Sequence, residues 1–262
     1  REPPVYHKYD FIIIKGKGGK MSSSKGNVIT LKETLSVYEP EIVRYLFAST
    51  RPDTEFAISF DLDVLKVYED YDKCERIFFK KEEASEKDFE KQKRIYELSQ
   101  VNKPPAHLPF QPSIKHLLNL IQLYGGDEKK VLDDLNESVK SKVDTEKVKA
   151  RLECAKYWLE QYAPEEMKFH FHSREEAVHV PLGEKEKDCL KKIAEFLKDN
   201  GKIREEELHN QLYGIAKSSG IEPKEFFKSA YRFLIGKERG PKLANLILTV
   251  GKEKVLDVLS CL

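Results

Sequence analysis

Apolar residues along this chain recur mostly at helical spacing. Between residues 114 and 121 they lie three and four positions apart, and Gly125-Gly126 follows as a stop. Similar stripes run through 148–159 and through 226–234, where Gly236 ends the pattern. Ordinary core packing explains such stripes. The pattern therefore predicts a mainly α-helical protein.

The first sixty residues depart from helical spacing. Residues 11–14 are a short apolar run of the kind that forms a buried strand, and residues 56–61 predict a second strand. Between them, the Thr30–Glu33 capping box begins one helix and Pro40 begins another. The N-terminus is therefore predicted to be a small α/β unit of strand, loop, two short helices and strand.

Helix caps and breakers divide the rest of the chain. Asp61 is placed to cap a long helix toward Phe78, and Asp144 to cap the helix that carries the 148–159 stripe. Residues 102–105, with two prolines, form a clear stop. We expect three parts: the α/β unit at 1–61, a helical bundle or cage with a linker at 62–183, and a helical domain at 184–262.

A possible metal site lies in the linker. Residues 167–172 alternate in polarity and predict an extended segment, so His170 and His172 would share one face, with His179 nearby. No carboxylate or cysteine completes a recognisable ligand pattern. Surface or packing positions are the preferred interpretation of these histidines, and no metal is predicted in this chain.

Composition says more about the environment in which the protein works than about its function. Charged residues make up 35% of the chain, with Lys and Glu in excess, which indicates either a protein stabilised at high temperature or an ordinary helical surface. Net charge is only +1, but residues 202–262 carry 11 basic against 8 acidic residues. The four cysteines are far apart and no apolar run reaches membrane-spanning length. We expect a reduced, cytoplasmic protein with no membrane association.

The run of residues 20–27, Lys-Met-Ser-Ser-Ser-Lys-Gly-Asn, is the most specific chemical feature. It lies between the first predicted strand and the Thr30 capping box, and Gly16, Gly18 and Gly19 precede it. Lysine supplies a movable cation, serine hydroxyls supply donors, and glycines allow close approach of the backbone to phosphates. A solvated loop that binds nothing is the alternative for an arbitrary stretch of this composition.

The order of residues 20–27 resembles the Lys-Met-Ser-Lys-Ser signature of class I aminoacyl-tRNA synthetases. Residues 40–46 resemble the helix that follows the signature, and 56–61 resemble the strand that closes the stem-contact unit. Residues 234–243 resemble the final helices of class I lysyl and glutamyl anticodon-binding domains. Together these segments are most similar to the class I lysyl-tRNA synthetases of the archaeal type.

That resemblance implies a phosphate clamp for ATP, which would enter as substrate with Mg²⁺ in the full enzyme. The second lysine of the common signature falls at Ser23 here, and Lys25 is the alternative cation. The catalytic residues so implied are Lys20, Ser22, Ser23 and Ser24, within an ATP-phosphate loop formed by Lys20, Met21, Ser22, Ser23, Ser24 and Lys25.

The family also needs a His-x-Gly-His motif, which none of the seven histidines forms. Together with the start at Arg1, this predicts a C-terminal half whose catalytic N-terminal half lies upstream in cis. Such a chain should bind tRNA-Lys at its stem and anticodon but not catalyse alone. A glutamyl-type synthetase half and a non-catalytic RNA-binding module stay open as alternatives.

The C-terminal domain holds the best basic group with an interleaved aromatic residue. Lys and Arg can hold phosphates while an aromatic ring stacks on an unpaired base. A solvated helix face is the equal alternative. The candidate tRNA-binding residues are Lys224, Lys228, Tyr231, Arg232, Lys237, Arg239 and Lys242.

Overall fold

The computed structural model describes residues 5–6, 10, 12–15, 28–201 and 203–262. The described chain is mainly α-helical with one small sheet, so the predicted fold class is confirmed. Its residues form two compact units. The first unit comprises residues 1–118 and 127–164, and the second comprises 119–126 and 165–262. The three-part division at 61 and 183 stays a prediction.

The first unit begins with the predicted α/β arrangement. Strands β1 (Ile12–Ile14) and β2 (Phe56–Ile58) pair in parallel, with Ile12 opposite Phe56. Helices α1 (Leu31–Val37) and α2 (Pro40–Ser49) connect them. β2 is shorter than the predicted 56–61, because side chains take the next two carbonyl groups. Tyr38 Oη donates to the carbonyl of Ser59 at 2.6 Å, and Trp158 Nε1 donates to that of Phe60 at 2.9 Å.

Five further helices begin in the first unit. They are α3 (Asp63–Phe78), α4 (Glu86–Ser99), α5 (Ile114–Leu123), α6 (Glu128–Leu135) and α7 (Lys142–Gln161), and α5 divides between the two units after residue 118. The predicted Asp61 cap is wrong by one residue, since Leu62 is the N-cap of α3, although the Asp61 carboxylate does accept the Asp63 N–H at 2.9 Å.

The predicted Asp144 cap is wrong. Ser141 caps α7, one turn earlier than predicted, and its hydroxyl accepts the Asp144 N–H at 3.1 Å. The Asp144 carboxylate instead accepts the N–H groups of Phe110 at 2.7 Å and Lys140 at 3.0 Å. Asp144 therefore joins α7 to the loop before α5, a role that depends on a residue 34 positions away.

Buried charges join α7 to α3. Glu75 is fully buried, and its carboxylate accepts from Lys147 Nζ at 2.6 Å, Tyr96 Oη at 2.7 Å and Gln111 Nε2 at 2.6 Å. Every oxygen of this carboxylate therefore has a partner, as a buried charge requires. Arg151, one helical turn beyond Lys147, forms a second buried cluster.

The second unit is a helical bundle preceded by an irregular segment. A 3₁₀ turn (Glu165–Met167) leads into α8 (Arg174–Ala177), α9 (Glu184–Asp199), α10 (Glu205–Ser218), α11 (Pro223–Ile235), α12 (Leu243–Val250) and α13 (Lys252–Leu259). Phe226 and Phe233 on α11 and Leu212 on α10 lie in its core. Gly236 ends α11 in the left-handed conformation at φ 66°. Among the described residues, no helix is long and apolar enough to cross a membrane.

Candidate nucleic-acid interface

The signature loop, Lys20 to Lys25, lies outside the described residues, and so do Gly16, Gly18 and Gly19. The structure describes the residues at both ends of this stretch. After it, Thr30 caps α1 as predicted, its hydroxyl accepting the Glu33 N–H at 3.1 Å. Before it, Lys15 follows β1 and its ammonium group bonds to the Asp63 carboxylate, with Asp61 3.5 Å away.

Asp61 is the centre of this small cluster. Its carboxylate accepts the Ser59 hydroxyl at 2.5 Å and the Asp63 N–H at 2.9 Å. These hydrogen bonds first, and then the Lys15 cation, hold the pKa of Asp61 below its usual value. The end of β1, from which the signature segment continues, is thereby joined to the beginning of α3.

Three of the six predicted tRNA-binding cations lie along α11, with different surroundings. Lys224 is exposed in the first turn. Lys228 Nζ pairs with Glu238 at 2.8 Å, and Arg232 Nη2 pairs with Glu186 at 3.2 Å. A carboxylate partner competes with a phosphate for the same cation, so Lys224 is the freest of the three.

The other three predicted cations follow the end of α11. Lys237 Nζ donates to the Glu165 carbonyl at 3.3 Å, and Lys242 pairs loosely with Glu205 at 3.6 Å. Arg239 is exposed, and within the described part of the chain it lies at ion-pair distance from no carboxylate. Of these six predicted cations, Lys224 and Arg239 are therefore the two most available to a phosphate.

Tyr231 supports the turn after α11. Its hydroxyl donates to the Pro241 carbonyl at 2.6 Å. The ring packs so closely on Gly240 that a Cβ atom there would lie 3.1 Å from two ring carbons. Burial raises the pKa of Tyr231, and the nearby Tyr213 hydroxyl adds to the shift. Tyr231 thus holds the segment that carries Arg239 and Lys242, and base stacking by its ring stays a prediction.

An aromatic group on the same unit was missed from the sequence. The rings of His209 and Tyr213 lie 5.0 Å apart on α10, and the Tyr213 ring lies 4.9 Å from that of Phe227 on α11. The spacing of four residues between His209 and Tyr213 could have indicated it. The partner on α11 could not be read from local sequence.

The linker histidines have separate partners. His172 is buried, and its Nδ1 donates to the Phe233 carbonyl at 2.9 Å. His170 is exposed and its Nε2 lies 3.1 Å from the Glu176 carboxylate. Among the described residues, no group of three His, Cys, Asp or Glu side chains could hold a metal ion.

Three of the four free cysteines are buried, and burial raises the pKa of Cys74 and Cys154 to about 12.

Known families match both ends of the chain. Residues 1–102 match the family described as tRNA synthetases class I (K), and residues 162–261 match the family described as anticodon binding domain. Over 259 residues the chain is 43% identical to the lysine–tRNA ligase of Borreliella burgdorferi. The aligned region covers 98% of this chain and 49% of that protein.

Two further relatives are similar over the same extent. Identity is 43% over 260 residues to the lysine–tRNA ligase of Treponema pallidum, covering 98% of this chain and 48% of that protein. It is 38% over 261 residues to that of Pyrococcus horikoshii, covering 98% and 49%. The chain therefore spans about half the length of the curated relatives it matches.

A match to class I synthetases at one end and to an anticodon binding domain at the other is the arrangement of a class I aminoacyl-tRNA synthetase. Nearly the whole chain is similar to lysine–tRNA ligases, at 38–43% identity to the three relatives described above. The resemblance inferred from the signature loop and the C-terminal segment is thereby confirmed.

Proposed function

We propose that this chain is the tRNA-binding part of a cytoplasmic ligase that activates lysine with ATP and transfers it to tRNA-Lys. The observation that carries the proposal is the order of the two family matches, with the signature segment in the first and the basic α11 region in the second. Our preference for lysine over a glutamyl-type half is supported by the (K) class and by the names of the relatives.

In the activation step, an oxygen of the lysine carboxylate attacks the α-phosphorus of ATP. The bond from that phosphorus to the bridging oxygen breaks, and pyrophosphate leaves with the electron pair. Negative charge grows on the leaving phosphates, so a cation that meets them in the transition state lowers the barrier. We assign that cation to Lys20, and donor roles to Ser22, Ser23 and Ser24, with Lys25 as a second positive charge.

Mg²⁺ belongs to the substrate in this proposal, since it enters with ATP. The described residues offer no cluster of three ligand side chains for a resident metal. The adenine and lysine pockets belong to an N-terminal half in cis. We also propose that the chain is divided into a signature and stem-contact unit at 1–61, a helical domain with a linker at 62–183 and an anticodon-binding domain at 184–262.

Transfer of lysine requires that the same protein hold tRNA. We assign phosphate contacts to Lys224 and Arg239 first, because their side chains are exposed and lack a carboxylate within ion-pair distance in the described chain. Lys228, Arg232, Lys237 and Lys242 have partners that phosphate must displace. Tyr231 positions the turn between them.

The test separates binding from catalysis. The isolated chain should bind a tRNA-Lys transcript in filter binding and should show no lysine-dependent exchange of pyrophosphate into ATP. The full-length ligase should do both. Exchange by the isolated chain would refute the assignment as half of an active site. Failure of the folded chain to bind tRNA would refute the tRNA-binding role.

A further inference from the structure

The aromatic ladder, defined as His209, Tyr213 and Phe227, leaves one ring open on the second unit. Tyr213 is 40% exposed although the rings of His209 and Phe227 both contact it. The His209 ring meets it at 5.0 Å and 65°, and the Phe227 ring at 4.9 Å and 57°. Ring contacts on two sides restrict the tyrosine side chain before anything binds, which lowers the entropy lost on binding.

Gly214, the next residue, leaves the helix backbone uncovered beside the Tyr213 ring. It lies inside α10, where glycine is less stable than alanine. A Cβ atom at this position would meet nothing within 4 Å, and its φ is not in the left-handed region. Neither packing nor backbone conformation therefore requires glycine here. Without a side chain at this position, another molecule can approach the helix backbone closely.

The two ends of the aromatic ladder differ in the charge of the residues around them. Lys217 lies one turn after Tyr213 on α10, and Lys224 lies three residues before Phe227 on α11. Both are exposed, and in the described chain neither has a carboxylate at ion-pair distance. At the other end, α10 begins with Glu205, Glu206 and Glu207. A polyanion would therefore place its phosphates beside Lys217 and Lys224, away from the acidic turn.

We propose that Tyr213 is a stacking platform for an unpaired RNA base, with Lys217 and Lys224 holding the flanking phosphates. An aromatic face beside cations fits single-stranded nucleic acid, because every base has a face to stack and every nucleotide a charge to neutralise. This inference rests on the proposed tRNA-binding function and deepens it. It assigns stacking to Tyr213, whereas the Tyr231 hydroxyl is already bonded within the turn.

The experiment uses the whole 262-residue chain and two RNA probes, an anticodon stem–loop with a lysine anticodon and a fully paired duplex of equal length. Tyr213→Ala should weaken binding of the stem–loop about 5- to 150-fold and leave duplex binding unchanged. Tyr213→Phe and Tyr213→Trp should bind nearly as wild type. Leu248→Ala, at 39% exposure on α12, is the matched control and should change neither affinity.

Tyr213→Trp adds a direct readout of stacking. Its fluorescence should be quenched by the stem–loop and not by the duplex, while Trp158, buried in the first unit, supplies a constant background. Gly214→Ala is a second variant with opposite effects on two measurements. It should raise the unfolding temperature, because alanine favours helix, and yet weaken stem–loop binding.

The results distinguish this inference from the function on which it rests. If the wild-type chain binds no tRNA, the proposed function fails. If it binds tRNA and Tyr213→Ala binds the stem–loop equally well, only the stacking platform is refuted. Loss of self-association in Tyr213→Ala, with RNA affinity unchanged, would also refute it and make the ladder a protein contact.

Discussion

Arg151 on α7 and Asp72 on α3 form a buried bidentate ion pair inside the first unit. Nη1 lies 2.9 Å from Oδ2, and Nη2 lies 2.8 Å from Oδ1. Nε of Arg151 donates to Glu39 at 2.7 Å, and Nη1 also meets the Pro112 carbonyl. Burial raises the pKa of Asp72, and the guanidinium opposes that shift. The two acids tolerate burial because this one arginine faces both.

Replacing Arg151 should therefore destabilise the first unit strongly. Arg151→Met keeps an unbranched apolar stem but leaves two buried carboxylates without their cation, and we expect a loss of about 3–5 kcal/mol in the free energy of unfolding. Urea unfolding followed by Trp158 fluorescence measures it. Lys142→Met is the control, since Lys142 pairs with Glu146 at 89% side-chain exposure and should lose less than about 1 kcal/mol. Equal urea midpoints for the two variants would contradict the role of the buried pair.

Asp144 predicts a specific sensitivity to acid. Burial alone would raise its pKa, but hydrogen bonds from Phe110, Ser141 and Lys140 outweigh burial and lower it. A carboxyl with a lowered folded-state pKa stabilises the protein above its unfolded value of about 3.9, and the contribution is lost as pH falls through the folded-state pKa.

We therefore expect Asp144→Ala to lose about 1.5–3 kcal/mol at neutral pH and to show less further loss on acidification than wild type. Urea midpoints at neutral pH and at acidic pH down to about 2, below the unfolded value, give both quantities. Glu146→Ala, on an exposed position of the same helix, should match wild type at each pH. An Asp144→Ala curve parallel to wild type would show that the carboxylate is not the source of the acid sensitivity.

Gly236 should be intolerant of a side chain for two separable reasons. Its φ is 66°, and a Cβ atom would lie 2.8 Å from His172 Nε2. Gly220 has the same φ of 66° with nothing within 4 Å of the corresponding Cβ. Gly220→Ala should cost about 1–2 kcal/mol from backbone strain alone, and Gly236→Ala should cost more. Thermal unfolding of both variants isolates the His172 contact as the difference, and equal losses would exclude it.

Salt dependence tests the phosphate contacts assigned to Lys224 and Arg239. The double alanine variant should weaken tRNA binding and reduce the slope of log affinity against log salt by about 0.7–0.9 per lost contact. Lys185→Ala with Lys191→Ala removes the same charge from exposed positions on α9 and should leave the slope near wild type. Identical slopes in the two double variants would indicate a general charge effect and would move the contact elsewhere.

Lys20 should act in the transition state of activation. In the full-length ligase, Lys20→Ala should lower kcat for pyrophosphate exchange by about a hundredfold, close to 3 kcal/mol, with a smaller effect on lysine KM. Lys25→Ala should reveal whether the second cation of the loop shares this role, and Ser23→Lys should retain activity because it restores the commoner signature. An unchanged rate of pyrophosphate exchange in Lys20→Ala would refute the assignment of the phosphate clamp to this loop.

The helical character, the first α/β unit and several helix ends were predictable from local sequence. Thr30, Pro40, Pro223 and Gly236 determine helix ends through contacts within one turn, which is the range that local patterns describe. The signature loop was identified by residue order alone, and its chemistry follows from the residue types. The family followed from these segments without any coordinates.

Only the tertiary structure decided which charges are buried and which rings are open. Arg151, Asp72 and Glu75 lie in polar stretches of helix that local patterns assign to solvent. Arg151 nevertheless pairs with Asp72 across 79 positions of the chain, and Glu75 pairs with Lys147 across 72. Tyr231 and Tyr213 are equally aromatic in sequence, but one is bonded to Pro241 and the other is exposed. Such pairings depend on how whole helices pack, because desolvation and partner distance belong to the assembled fold and not to any single turn.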